Sequence, residues 1–97
     1  MVMKQHITKQ QLNELDIKQK SRTPLSWTDD NSIFDVSKIT IGELIEFLGD
    51  DLATVSIINK KWLVYTQKMV FDNQVIREKE LVDALWEATK SKLQDNG

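Results

Sequence analysis

The segment from Ile76 to Leu93, IREKELVDALWEATKSKL, is the longest in the chain whose apolar residues return at helical spacing and whose interior holds neither Gly nor Pro. Leu81, Val82, Ala84, Leu85, Ala88 and Leu93 fall near one face of a helix, while Glu80, Asp83, Glu87 and Lys90 fall near the other. An amphipathic main helix over about 78–93 is therefore predicted, with a core beneath its apolar stripe and a solvated charged face on its far side. Ninety-seven residues support one domain (1–97) around such a helix and leave no material for a second. Residues 1–6 and 94–97 carry no packing signal and are expected to be disordered.

Two upstream stretches share one helix-start signature. In ITKQQL (7–12), Thr8 can cap the backbone of Gln11 and Gln11 can reach back, with Ile7 and Leu12 at the staple positions. A helix over about 9–20 follows, with Leu12 and Leu15 as its apolar pair, extended by Ile17. In ITIGEL (39–44), Thr40, Glu43, Ile39 and Leu44 take the same roles, which predicts a helix over 41–48 that is ended by Gly49 in a left-handed conformation. Between them, 21–37 reads as a loop: Pro24 fixes one backbone angle, and Asp29, Asp30, Asn31 and Ser32 supply turn chemistry. Leu25 and Trp27 sit inside this loop, and a tryptophan there either plugs the side of the core, the preferred reading, or anchors a partner.

From Leu52 to Phe71 the apolar period changes, and β-branched and aromatic residues gather around Asn59, Lys60 and Lys61. Strands over about 53–58 and 62–67 with a tight Asn59-Lys60 turn place Ile58 opposite Lys61, Ile57 opposite Trp62 and Val55 opposite Val64. Val55, Ile57, Trp62 and Val64 then share the face under the main helix, where Trp62 packs against Leu85. A further turn at Gln67-Lys68 returns Met69, Val70 and Phe71 as a third strand near 69–72, with Val70 opposite Tyr65. The fold class is α+β: a small antiparallel meander sheet of two to three strands packed by helices, similar to an α/β sandwich.

Composition narrows the function. The chain has no cysteine, which removes disulfides and thiolate metal ligands; its N-terminus has no signal-like apolar core, and no apolar run approaches a membrane span. A cytoplasmic protein without membrane partners is expected. The net charge of −2 is too weak to draw strongly on nucleic acid. It is unevenly distributed, residues 28–51 carrying one cation and seven anions. Asp29, Asp30, Asn31 and Asp35 lack the alternating ligands, central Gly and closing Glu of a calcium loop, so no metal site is assigned. His6 is the single histidine and lies in a frayed terminus. The paired carboxylates sit on solvated helix faces, and no Gly-rich phosphate loop is present. Neither a catalytic constellation nor a cofactor is expected, and an enzyme is disfavoured.

The second face of the predicted sheet, Ile58, Leu63, Tyr65 and Val70, is too apolar to stand wholly in water. Either the first or second helix covers it, or another protein chain does, whether a host protein or the second copy of a homodimer. The candidate partner-binding residues are Trp27, Leu25, Ile58, Lys60, Lys61, Leu63, Tyr65 and Val70. The acidic 28–51 segment and the Lys60-Lys61 turn are expected to form their rim. The alternative is nucleic-acid binding, with Lys60, Lys61 and Lys68 on a backbone and Tyr65 stacking on a base.

Three blocks, MKQHITKQQLNEL (3–15), ITIGELIEFLGD (39–50) and KELVDALWEATKSKL (79–93), together resemble a family of small uncharacterised proteins of phages and prophages of Gram-positive bacteria. Its members open with an HIT…QLNEL helix, have an SIGQMIEFL-like middle and close with an ELCDALWEA-like helix. Here SRTPLSW stands where members have an aromatic-rich segment, and Val82 stands where they have Cys. The resemblance implies a phage origin, a rough α/β sandwich and no catalytic residues. Because small accessory phage proteins often block host machinery, it also implies an inhibitor of restriction or CRISPR defences.

Overall fold

The computed structural model describes residues 4–31 and 33–94, the side chain of Gln94 excepted. In chain order the regular elements are α1 (Lys9–Leu12), α2 (Ile17–Lys20), α3 (Ile41–Leu48), β1 (Leu52–Ile58), β2 (Lys61–Thr66), α4 (Gln67–Phe71), β3 (Ile76–Glu78) and α5 (Leu81–Gln94). The three strands form an antiparallel sheet in the order β1-β2-β3. The α+β class and the meander are as the sequence predicts. The layering differs: α5 packs against β2 and β3 on one side and against α3 and α2 on the other. The long helix is thus the middle layer, and the helices do not sandwich the sheet.

That position explains why α5 is apolar around most of its girth. Val82, Ala84, Leu85, Trp86, Ala88, Thr89 and Leu93 are all buried, joined by Ile7, Leu12, Leu15, Trp27, Ile39, Leu44, Leu48 and Val64. Trp27 fills the space between α3 and α5, its ring 5.3 Å from Phe47 and 6.4 Å from Trp86. The capped 41–48 helix appears as predicted. Thr40 accepts the Glu43 N–H, and Gly49 turns the chain out with φ +49° and ψ −127°, a positive-φ conformation open to glycine but outside the left-handed helical well.

The predicted 9–20 helix is instead two single turns. Thr8 and Gln11 form the expected reciprocal cap, and Asp16 and Gln19 form a second one that starts α2 afresh. An Asp side chain that bonds the backbone ahead of it competes with helix continuation, so α1 stops at Leu12. The break lets both Leu12 and Leu15 reach the core and leaves Ile17 87% exposed, outside the apolar stripe assigned to it.

The predicted strand near 69–72 is a helix. Thr66 caps it by accepting the Met69 N–H, and Met69 is buried while Phe71 is 85% exposed. The third strand is Ile76–Glu78, which pairs Val64 with Ile76, Leu63 with Arg77 and Trp62 with Glu78. IRE reads locally as the start of the long helix, and the pairing with β2 overrides that preference.

Residues 4–6, expected to be frayed, are paired. His6 bridges Thr40, and the backbone of Ile7 and Gln5 bonds Ile39 and Ile41. Lys4 Nζ donates to Asp83 at 2.6 Å, Gln11 Nε2 donates to the same carboxylate at 2.8 Å, and the Lys4 backbone N–H donates to Glu80 at 3.0 Å. The acidic side of α5, read as a solvated face, therefore holds the N-terminal segment in place. Residues 1–3 and 95–97 lie outside the described residues.

Glu14 makes a second tie of this kind, accepting Lys90 Nζ at 3.0 Å and the indole N–H of buried Trp86 at 3.1 Å. Lys90, ahead of Trp86, holds this carboxyl below its ordinary value of 4.5. Burial of Lys90 lowers its own pKa, but Glu87 and Glu14 outweigh that and raise it overall. A depressed folded-state pKa means that Glu14 contributes stability above about pH 4.5 and loses it as pH falls through the folded value. Glu14→Gln keeps an acceptor for Trp86 and removes the titration. Its melting temperature is expected to fall less steeply than the parent's between about pH 5 and 3 in a thermal-denaturation series.

Candidate functional site

The residues that face away from α5 are set by the hairpin. Asn59 and Lys60 have φ of 54° and 67°, the paired positive values of a two-residue turn whose twist matches the strands. They fix the predicted register, with Ile58 opposite Lys61, Ile57 opposite Trp62 and Val55 opposite Val64. Alternation then puts Thr54, Ser56, Ile58, Lys61, Leu63, Tyr65 and Arg77 on the outer face. The inner face carries Val64, fully buried, and half-buried Trp62 and Ile76. Because α5 lies over β2 and β3, Val55 and Ile57 on β1 stand beyond its flank, 37% and 56% exposed.

Neither α1, α2 nor α3 covers the outer face: α3 and α2 pack on α5, and none of the three makes more than slight contact with the strands. Ile58 is 57% exposed, and Leu63 and Tyr65 are half-buried. At the Tyr65 end, α4 folds back so that Met69, Val70, Asn73, Gln74 and Val75 line a concavity with Tyr65. At the hairpin end, Ile58, Asn59, Lys61, Leu63 and Arg77 line a second concavity of about 360 Å³. The surface is an apolar strip with cations at its hairpin end.

Of the predicted partner-binding residues, the structure brings together Ile58, Lys60, Lys61, Leu63 and Tyr65. Val70 is near them, though it reaches the Tyr65 concavity from α4 and not from a strand opposite Tyr65. Trp27 is excluded from any interface, being wholly buried between α3 and α5. Leu25 is 88% exposed, but its 3₁₀ turn (Leu25–Trp27) is tied to α3 by Ser26 donating to Glu43, in the helical layer away from the sheet. The 28–48 part of the acidic segment belongs to that layer too and does not rim the outer face, whose visible charge is basic, while Asp50 and Asp51 stand at the start of β1. Arg77 lies on this face and was not foreseen, because its segment reads locally as the start of the long helix.

Two carboxylates of the 28–38 loop are occupied in shaping it. Asp29 accepts the N–H groups of Asn31 and Ile33, and Asp35 accepts the N–H and hydroxyl of Ser37, the hydroxyl first among the causes that hold its carboxyl below the ordinary range. Among the described residues no three His, Cys, Asp or Glu side chains converge as a metal site would need, and no helix is long and apolar enough to cross a membrane. The crevice lined by Asp51, Thr66, Lys68, Ser91 and Lys92 holds about 60 Å³, a fraction of a metabolite-sized pocket. No protein-family model, curated protein or solved structure matches the chain.

Proposed function

We propose that this is a small, phage-encoded, non-enzymatic protein that binds another protein stoichiometrically through the outer face of its sheet. Its target is a component of host defence of the restriction or CRISPR kind. The observation that carries the binding surface is the outer strip of Ile58, Leu63 and Tyr65, which α1, α2, α3 and α5 leave uncovered and α4 reaches only at its Tyr65 end. Soluble proteins seldom leave such strips without an occupant. The cations at the hairpin end, Lys60, Lys61 and Arg77, favour an acidic target surface and give it orientation. Phage origin and the defence target rest on the three sequence blocks described above.

The test is Leu63→Asp, which puts a charge in the middle of the strip without touching the core. The variant is expected to melt with the parent and to lose capture of the target from host lysate, with affinity for the isolated target falling by about thirtyfold or more, as for a central interface residue. Full retention of capture would move the binding surface elsewhere. Arg77 beside Lys61 gives the nucleic-acid alternative a specific footing, since two adjacent cations near Tyr65 suit a backbone and a stacked base. A gel shift that weakens steeply with salt and is lost in Lys61→Ala and Arg77→Ala would favour it over protein binding.

A further inference from the structure

We propose that two copies of the chain pair antiparallel along the β1 edge, joining their sheets into one continuous sheet ordered β3-β2-β1-β1′-β2′-β3′. The two edges of this sheet are unlike. β3 is three residues long and carries Arg77 and Glu78, the short, charged form of edge that resists pairing. β1 is seven residues, LATVSII, with no charge and no proline. Its single irregularity is a register shift between Leu52 and Thr54, away from its centre.

The backbone selects the register. A two-residue turn closes on a hydrogen-bonded pair, here Ile58 and Lys61, and bonding alternates along an antiparallel ladder. Thr54, Ser56 and Ile58 therefore turn their N–H and C=O groups toward β2, and Val55 and Ile57 turn theirs to the open edge. A two-fold axis at Val55 sets Val55 against Val55 of the second copy, with Ile57 beside Ala53 and Ser56 beside Thr54. This arrangement brings outward-facing backbone groups together and makes a favourable Ser–Thr pair on the outer face. The inner-face side chains left uncovered, Val55 at 37% and Ile57 at 56% exposure, are then brought against their copies on one face of the joined sheet, in the groove between the two α5 helices.

Charge at the strand ends fits the same axis. Asp50 and Asp51 precede β1, and Lys60 follows it, all exposed. Asp51 is held by Lys92 at 2.9 Å. An antiparallel two-fold pairing brings the Asp50-Asp51 end of each β1, a 3₁₀ turn (Gly49–Asp51), toward the Lys60 turn of the other. Lys60 occupies a positive-φ turn position that normally favours Gly or Asn, so a local rule is set aside to place a cation there. The edge is complementary to itself in hydrogen bonding, apolar surface and charge, which is why a second copy is chosen as occupant over a foreign strand.

Sedimentation equilibrium over a wide concentration range tests this. The parent is expected to approach twice the 11.3 kDa of one chain. Asp50→Lys and Lys60→Asp, each alone, bring like charges near one another at both ends and are expected to weaken dimerisation about tenfold. The two changes combined in one chain restore it. Val55→Pro removes an outward N–H at an edge position where proline is tolerated, and is expected to yield a folded monomer. A parent that stays monomeric throughout overturns the proposal, as does a dimer whose affinity is unmoved by the charge exchange. A parent that remains monomeric and instead takes up an added extended peptide at β1 overturns it in favour of a foreign strand.

Discussion

Trp27→Ala is expected to destabilise the protein by about 3–5 kcal/mol, the cost of emptying a fully buried large aromatic site. Trp27 is completely inaccessible, and it is the contact through which Phe47 of α3 meets Trp86 of α5. Removing it leaves a large cavity between two layers that otherwise pack directly on each other. A domain of this size has about 5–15 kcal/mol in total, so the variant should melt tens of degrees lower or fail to fold. Trp27→Phe sharpens the test. The indole N–H of Trp27 is buried with no hydrogen-bond partner among the described residues. Phenylalanine keeps an aromatic ring in the stack and removes that unpaired donor, so part of its lost volume is offset, and a loss under about 1.5 kcal/mol is expected. Chemical denaturation of the three proteins checks both outcomes. A Trp27→Ala protein as stable as the parent would mean that the 25–27 turn is not part of the core.

The second large effect is a contrast between neighbours. Val64→Asp is expected to abolish folding, because Val64 is fully buried under α5 in the central strand and an unpaired carboxylate there costs several kcal/mol even when it is protonated. Leu63→Asp, one residue earlier on the same strand, is expected to leave the melting temperature within a few degrees of the parent, since Leu63 faces the outer side, where α4 reaches only the Tyr65 end. Circular dichroism and thermal melts of the pair read the orientation of β2 directly. Equal losses would mean that the outer face is as enclosed as the inner one.

How far the fold could be read from the chain depends on how local each signal is. The Thr8 and Thr40 caps and the Asn59-Lys60 turn act within a few residues, so those helix starts and the hairpin register were legible. The Asp16–Gln19 cap was equally local, but the apolar spacing of Leu12, Leu15 and Ile17 suggested continuity and masked it. The β3 strand and α4 were illegible for a different reason. Ile76–Glu78 is extended because β2 offers it a partner, and Val70-Phe71 has strand-forming side chains that Thr66 nonetheless starts as a helix. Burial of Trp27, and the separation of Leu25 and the acidic loop from the sheet, are set by which layer each segment joins. No short pattern encodes that choice, so the sequence sets the β1 and β2 members of the candidate surface on one face and misplaces Trp27, Leu25 and the acidic loop.

The central place of α5 has a consequence for biosynthesis. Translation proceeds from the N-terminus, so α1, α3 and the hairpin leave the ribosome before the helix that all of them pack against. Their apolar surfaces, Leu12, Leu44, Leu48 and Val64 among them, have no seat until Leu81–Leu93 has emerged. The contact of Lys4 with Asp83 spans nearly the whole described chain. Such long-range closure slows folding and exposes unfinished hydrophobic faces while it is awaited. The segments that precede α5 are thus committed to wait for it, their apolar faces open to a chaperone during the interval.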